Sequence, residues 1–202
     1  MWEVAAIEYV SYQDFGARFI DAAVTVGRIE EAVAAVAGDR VEVGPMHVGP
    51  GDAASVMAKG VLGAPTARSA APDADGTRRF VVSIPIELAL TVKVAGTVHR
   101  FEASVALRLH LAARTAEPVV IVIDIAPPEV FDMEVDVRAS GIVARVLGRL
   151  GNVDKKIREE IVRFVNDALT RDAARAATVI DIAPQIDNVW HSAIALPETP
   201  GK

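Results

Sequence analysis

Apolar and polar residues alternate along two adjacent segments in the middle of the chain. In residues 80–94 one face carries only apolar side chains, and residues 98–112 repeat the pattern after a short turn at 95–97. A period of two is that of a half-buried β-strand, so the two segments predict a long antiparallel hairpin. The side chains expected to be buried in it include Phe80, Ile84, Ile86, Leu88, Phe101, Leu107 and Leu109.

The length of these strands constrains the shape of the sheet. Most strands have about five or six residues, so strands of this length must curve or twist strongly. Pro85 has no N–H to donate to a ladder, and it therefore predicts a strand edge or a bulge at its position.

Two other parts of the chain have the helical period. Apolar residues spaced three and four apart between residues 12 and 36 predict one long amphipathic helix, with Ser11 at its N-cap. We call such a row of apolar residues on one helix face a seam. A second seam covers residues 142–150 and, after an interruption, residues 153–169. The first pattern is typical of a helix that lies on its own sheet, and a coiled coil remains the alternative.

The remaining segments complete an α+β prediction. We expect a single α+β domain over residues 1–202, in which a long, strongly curved antiparallel sheet packs with two long amphipathic helices. Residues 66–76 are expected to form a flexible loop and residues 188–202 an irregular tail. Shorter strands are predicted at residues 41–43, 53–62, 119–125, 130–138 and 178–182.

Composition excludes several classes of function. The 202 residues contain no cysteine, which rules out disulfides, thiolate metal sites and cysteine nucleophiles. The 21 basic and 27 acidic residues give a net charge of −6, which argues against nucleic acid as a partner. No apolar run is long enough to span a bilayer, and residues 1–12 do not resemble a signal peptide. We therefore expect a cytoplasmic protein without a transmembrane segment.

Candidate catalytic and metal-binding chemistry is sparse. The four histidines lack metal-ligand spacing, and the acidic row Asp132, Glu134 and Asp136 is expected to be a solvated strand face opposite Phe131. We expect no metal, no cofactor and no catalytic residues. An enzyme that uses unrecognised acid–base groups, such as His110 or Glu87, remains an alternative.

One hexapeptide occurs twice. Residues 122–127 and residues 179–184 both read Val-Ile-Asp-Ile-Ala-Pro. The interval matches no solenoid period, so we interpret the two copies as similar strands with similar neighbours, and an internal duplication remains the alternative.

The apolar faces themselves give the functional hypothesis. If the curved sheet and the helices do not fill the interior, they enclose a cavity for an apolar, lipid-like ligand. The expected ligand-binding wall is Val82, Ile84, Ile86, Leu88, Leu90, Val105, Leu107 and Leu109. The alternative is a non-enzymatic structural or interaction module that forms a homodimer through a helix seam or a strand edge.

The order of elements carries a resemblance to a known superfamily. A long helix, strands that include an extended hairpin, a second long helix and a terminal strand follow one another over residues 11–187. This layout resembles the tubular lipid-binding superfamily, known as TULIP or SMP-like. The resemblance implies a highly curved sheet that wraps a long helix and encloses a lipid-holding tube.

Overall fold

The computed structural model of the chain describes residues 8–138 and 153–194, in which eight strands form one antiparallel sheet. None of the helices in these ranges is long and apolar enough to cross a bilayer. The strands are β1 (Arg40–Val48), β2 (Ala54–Leu62), β3 (Thr66–Ser69), β4 (Arg78–Val94), β5 (Thr97–Ala116), β6 (Val120–Ile125), β7 (Met133–Arg138) and β8 (Val179–Asp181). The helices are α1 (Tyr12–Ala23), α2 (Val26–Ala37), α3 (Val153–Leu169), α4 (Asp172–Ala177) and α5 (Ala183–Ile194).

The predicted hairpin is confirmed as the pair β4 and β5. The two strands pair from Arg78 opposite Ala113 to Val94 opposite Thr97. They are joined at Ala95 and Gly96, whose φ angles of 46° and 81° are both positive. Positive φ at both turn residues gives a backbone twist that matches that of the strands. The side chains predicted to be buried are all buried: Phe80, Ile84, Ile86, Leu88, Phe101, Leu107 and Leu109.

Pro85 lies in the middle of β4, at a gap between two neighbouring strands. Along the same edge of β4, β2 stops opposite Ile86 and β3 starts opposite Ser83. In the gap, the Gly63 N–H donates to the Pro85 carbonyl oxygen at 2.7 Å. The N and O atoms of a strand residue point to the same side, so the missing N–H of Pro85 leaves no gap in the ladder with β5. On this side of β4, therefore, no strand pairs with Pro85, and the predicted strand edge is a local one between β2 and β3.

The sheet is strongly curved and has the form of a half-barrel. The strand order is β1-β2-β4-β5-β6-β8, with β3 also paired to β4 and β7 also paired to β5. Helix α3 packs against both β1 and β7, which lie on opposite sides of the hairpin, and α2 packs against β3. Ile157 and Ile161 of α3 are each 1% exposed. The concave face and α3 therefore share one apolar core.

The predicted long helix over residues 12–36 is wrong, because the chain breaks there into α1 and α2. Val24 leaves the helical conformation, and the hydroxyl oxygen of Thr25 accepts a hydrogen bond from the Arg28 N–H at the start of α2. The Arg28 guanidinium donates to the carbonyl oxygens of Ala22 and Ala23, which satisfies acceptors at the end of α1. The predicted N-cap at Ser11 is confirmed, since its hydroxyl accepts from the Asp14 N–H.

Other predicted segments need correction or lie beyond the described ranges. Residues 66–69, expected in a flexible loop, form strand β3 along β4, and residues 188–194, expected in an irregular tail, belong to α5. The helix predicted over 153–169 is confirmed as α3, whereas its predicted first part, residues 142–150, lies outside the described residues. A pair of long amphipathic helices is therefore not confirmed.

The strand predicted over residues 130–138 begins later than expected. Residues 130–132 form a 3-10 turn in which the Asp132 carboxylate accepts a hydrogen bond from the Glu129 N–H at 2.9 Å. This capping bond buries Asp132 within the turn and leaves Phe131 72% exposed. Phe131, expected to be buried, is therefore exposed, and Asp132, expected to be solvated, is buried. Regular alternation starts only at Met133.

Strand β2 packs so closely against β1 and β4 at Gly60 that the site has no room for a side chain. A Cβ atom there would lie 2.5 Å from Leu88 Cδ2, 2.7 Å from Val41 Cγ1 and 3.0 Å from the Glu87 carbonyl oxygen. We expect Gly60→Ala to lower the free energy of unfolding by about 1–3 kcal/mol, measured by urea denaturation, because the site is overpacked. The control is Gly16→Ala in α1, which meets nothing within 4 Å. Equal effects of the two substitutions would contradict the packing described for β2.

Candidate functional site

An apolar cavity of about 90 Å³ lies between the concave face of the sheet and the helices. Its floor comes from β4, β5 and β6, and its roof from α2 and α3, because one face of each helix is turned toward the sheet. All the lining residues except Thr178 are apolar. The helical part of the wall includes Ile29, Val33, Val36, Ile161, Phe164, Val165 and Ala168.

The predicted ligand-binding wall divides into two groups. Ile84, Ile86, Leu107 and Leu109 line the apolar cavity. The others are buried in the concave face but away from the cavity: Val82, Leu88, Leu90 and Val105.

Sequence reasoning missed the helical half of this wall. The helix seams contained the signal, because Val33, Phe164 and Ala168 are seam residues that line the cavity. The spacing of a seam identifies its buried face, but it does not show which turn of the helix stands over a void.

The size of the cavity limits what it can hold. An apolar cavity of about 150 Å³ in another protein is large enough for benzene, whereas pockets for drug-sized ligands have about 300–1,000 Å³. The present cavity therefore accommodates a short apolar group. A wide tube is not seen in the described residues, because α3 occupies the concave side of the sheet.

A second, polar cavity of about 530 Å³ lies beneath α1. Its walls come from the first turns of α1, the loop at residues 73–77 and the adjoining ends of β4 and β5. The loop is ordered by its own hydrogen bonds: the Asp73 N–H donates to the Thr77 carbonyl oxygen, and the Gly76 N–H donates to the Asp73 carbonyl oxygen, each at 3.0 Å. No pattern in the sequence predicts this cavity, since the segments that form its walls are distant from one another in the chain.

An ion pair holds α1 over the polar cavity. Arg78 Nε donates to Asp21 Oδ1 at 2.6 Å, and Arg78 Nη1 donates to the Gly76 carbonyl oxygen at 3.0 Å. The hydrogen bond lowers the pKa of Asp21 and raises that of Arg78. The Arg78 side chain is only 13% exposed, so its charge lies in the wall of the cavity.

Asp75 is the second charged group of interest in this cavity. Its Oδ1 atom accepts a hydrogen bond from the Thr77 N–H at 3.0 Å. Hydrogen bonds from the backbone and then the side chain of Thr77 lower the pKa of Asp75 below its usual value, so the group is a carboxylate at neutral pH.

The groups considered for catalysis or metal binding are dispersed over the outer face of the sheet. His110 Nε2 lies 3.5 Å from Asp132 Oδ1, and Arg108 pairs with Glu134 at 3.3 Å. Glu87 is exposed on β4. Across residues 8–138 and 153–194, His, Asp and Glu side chains form no group of three or more suited to a metal ion. The expected lack of catalytic residues stays a prediction.

No known family model and no curated protein matches the chain. Membership of the tubular lipid-binding superfamily therefore stays a prediction, and function has to be inferred from the chemistry of the two cavities.

The ion pair beneath α1 predicts a pH dependence. Because the pKa of Asp21 is below its usual value of 3.8, the pair stabilises the docked α1 above that pH. This contribution is lost as the pH falls through the lowered pKa. We expect the amide protons of α1 in the wild type to be more protected than in Asp21→Asn at pH 6, and the difference to decrease as the pH falls below 3.8.

Hydrogen exchange corrected for the intrinsic rate at each pH measures this protection, with α3 as the internal control. A difference between wild type and Asp21→Asn that persists unchanged to pH 2 would contradict the assigned role of Asp21.

Proposed function

We propose that this protein binds the apolar part of a small lipid-like molecule in the cavity between the concave face of the sheet and helices α2 and α3. The observation that carries the proposal is the wall, which is apolar throughout except at Thr178. Water in such a space lacks hydrogen-bonding partners, whereas an apolar ligand gains dispersion contacts with the lining atoms.

The volume of the cavity favours a short alkyl group. Each methylene buried there contributes about 0.8 kcal/mol, so affinity rises about fourfold for each added carbon until the cavity is full. A ligand with a longer alkyl chain fits only if a helix moves away from the sheet. Helix α2 suits this role because the chain leaves the helical conformation at both of its ends, at Val24–Thr25 and at Gly38.

Among the described residues, one side-chain hydrogen bond attaches helix α2 to the sheet in addition to its apolar contacts. Glu30 Oε1 accepts a hydrogen bond from the Ala67 N–H of β3 at 2.7 Å. Displacement of α2 exchanges this bond for one with water, which costs little, and it opens the roof of the cavity toward solvent.

Filling the cavity tests the proposal. We expect Ala168→Leu, on the cavity wall, to abolish binding of 1-hexanol while leaving the melting temperature unchanged or higher, because the added side chain occupies existing space. The measurement is titration by NMR of methyl resonances, together with thermal melting.

The matched control is Ala103→Leu, at a buried position on β5 outside the cavity. There the same change overpacks the core and costs about 1–3 kcal/mol, with hexanol binding retained. Failure of the wild type to bind any member of a series from 1-butanol to 1-octanol would reject the proposed function.

A second candidate function is assembly into a homodimer, and helix α5 favours it. Ile186, Val189 and Trp190 lie on one side of α5 and are all exposed. A second copy that covered this face would remove apolar area from water.

Sedimentation equilibrium tests the dimer. We expect a mass of twice 21.4 kDa for the wild type at micromolar concentration and a monomer for Trp190→Ser. Exposed Val61→Ser, on β2, is the control. A wild type that sediments as a monomer would exclude this candidate.

A further inference from the structure

The polar cavity beneath α1 has the size of a small-molecule site and shares no lining residue with the apolar cavity. Its volume of about 530 Å³ is within the range of about 300–1,000 Å³ that ligand pockets have. The lining includes the small residues Gly16, Ala17, Ala74 and Ala113, which leave room for a ligand's carbon skeleton.

Arg78 places unused hydrogen-bond donors in this cavity. Its Nε atom is engaged by Asp21 and its Nη1 atom by the Gly76 carbonyl oxygen, whereas its Nη2 atom makes no hydrogen bond within the described part of the chain. A guanidinium group carries five N–H donors, so two remain on Nη2. Since Arg78 is largely buried, an anionic group that entered the cavity would meet a poorly hydrated positive charge.

Asp75 supplies the opposite charge on the same wall. The other aspartate in the lining, Asp73, is paired with Arg79 at 2.6 Å, and the second lining arginine, Arg114, is paired with Asp124. Asp75 takes part in no ion pair among residues 8–138 and 153–194, although it is ionised. One oxygen accepts from the Thr77 N–H, which fixes the carboxylate at the cavity.

From these positions we propose that the polar cavity is a binding site for a small zwitterion, whose anionic group pairs with Arg78 and whose cationic group pairs with Asp75. The two side chains lie three residues apart, on either side of the turn at Gly76, and both line the cavity. A ligand with a single charge would pair with only one of the two side chains. This site is independent of the apolar cavity and of the function proposed for it.

A series of ω-amino acids tests the site and measures the separation of its charges. Glycine, β-alanine, 4-aminobutanoate and 6-aminohexanoate are titrated into the full chain by isothermal calorimetry, with acetate and butylamine as singly charged controls. We expect one member of the series to bind at least about tenfold more tightly than either control, because it gains a second charged hydrogen bond. Equal binding of zwitterion and controls, or no binding at millimolar concentration, would overturn the proposal.

Three variants assign the two contacts. Arg78→Met and Asp75→Asn should each weaken binding of the preferred zwitterion by about tenfold. The asparagine keeps a side-chain oxygen for the Thr77 N–H, so the loop is retained while the charge is removed. Asp21→Asn breaks the same ion pair with α1 but keeps the Arg78 guanidinium, so it should bind the zwitterion more tightly than Arg78→Met does. Arg100→Met, exposed on β5 and outside the cavity, is the control that should bind as the wild type does.

If Arg78→Met and Asp21→Asn lose binding equally, the loss reflects displacement of α1, and the proposed contact with Arg78 is wrong. If Arg78→Met does not fold, Asp75→Asn and the ligand series still show whether the polar cavity binds a zwitterion. Unchanged affinity in Asp75→Asn would overturn the assignment of the cationic group.

Discussion

The continuous pairing of β4 with β5 is the constraint on which the rest of the structure depends. These strands are about three times the usual length, and strands of that length cannot remain flat because each residue adds to the right-handed twist. Twist accumulated along the hairpin curves the sheet into a half-barrel, and the curvature creates the concave face. Helices α2 and α3 cover that face, and both cavities lie along its length, the apolar one under α2 and α3 and the polar one at the end beneath α1.

The hairpin was predictable from sequence because its signal is local and unambiguous. Alternation identifies both the element and its buried face, and the turn residues Ala95 and Gly96 lie between two such runs. The break between α1 and α2 was not predictable in this way, because the three- and four-residue spacing of Phe19, Ala22, Val26 and Ile29 continues through the break. The missed signal was Thr25, a residue suited to an N-cap, whose side chain competes with helix continuation.

The candidate sites were less predictable than the fold for a geometric reason. A period of two shows that Leu88 and Leu107 share a face, but it does not show that one lies under solid core and the other under a void. That difference depends on where α3 crosses the sheet, and α3 is distant in sequence. The polar cavity depends on three separate segments, and its charged groups Arg78 and Asp75 look like ordinary surface residues when each is considered alone.

The repeated hexapeptide shows how the far side of the sheet is assembled. Its two copies meet at one residue pair, Val122 opposite Val179, and the rest of β8 pairs with Val120 and Ile121, which precede the first copy. Strand β8 therefore extends the sheet by a sequence similar to that of its neighbour β6. Because β8 follows α3 and α4 in the chain, this pairing joins segments that are far apart, whereas the β4–β5 hairpin is closed by a two-residue turn. Loop closure of this kind is slow compared with hairpin formation. We expect the nascent chain to form its central hairpin early and to dock the segment from α3 to β8 last. Until this final step the apolar cavity lacks the part of its roof that α3 supplies, and that part of the concave face is open to chaperones or to other chains.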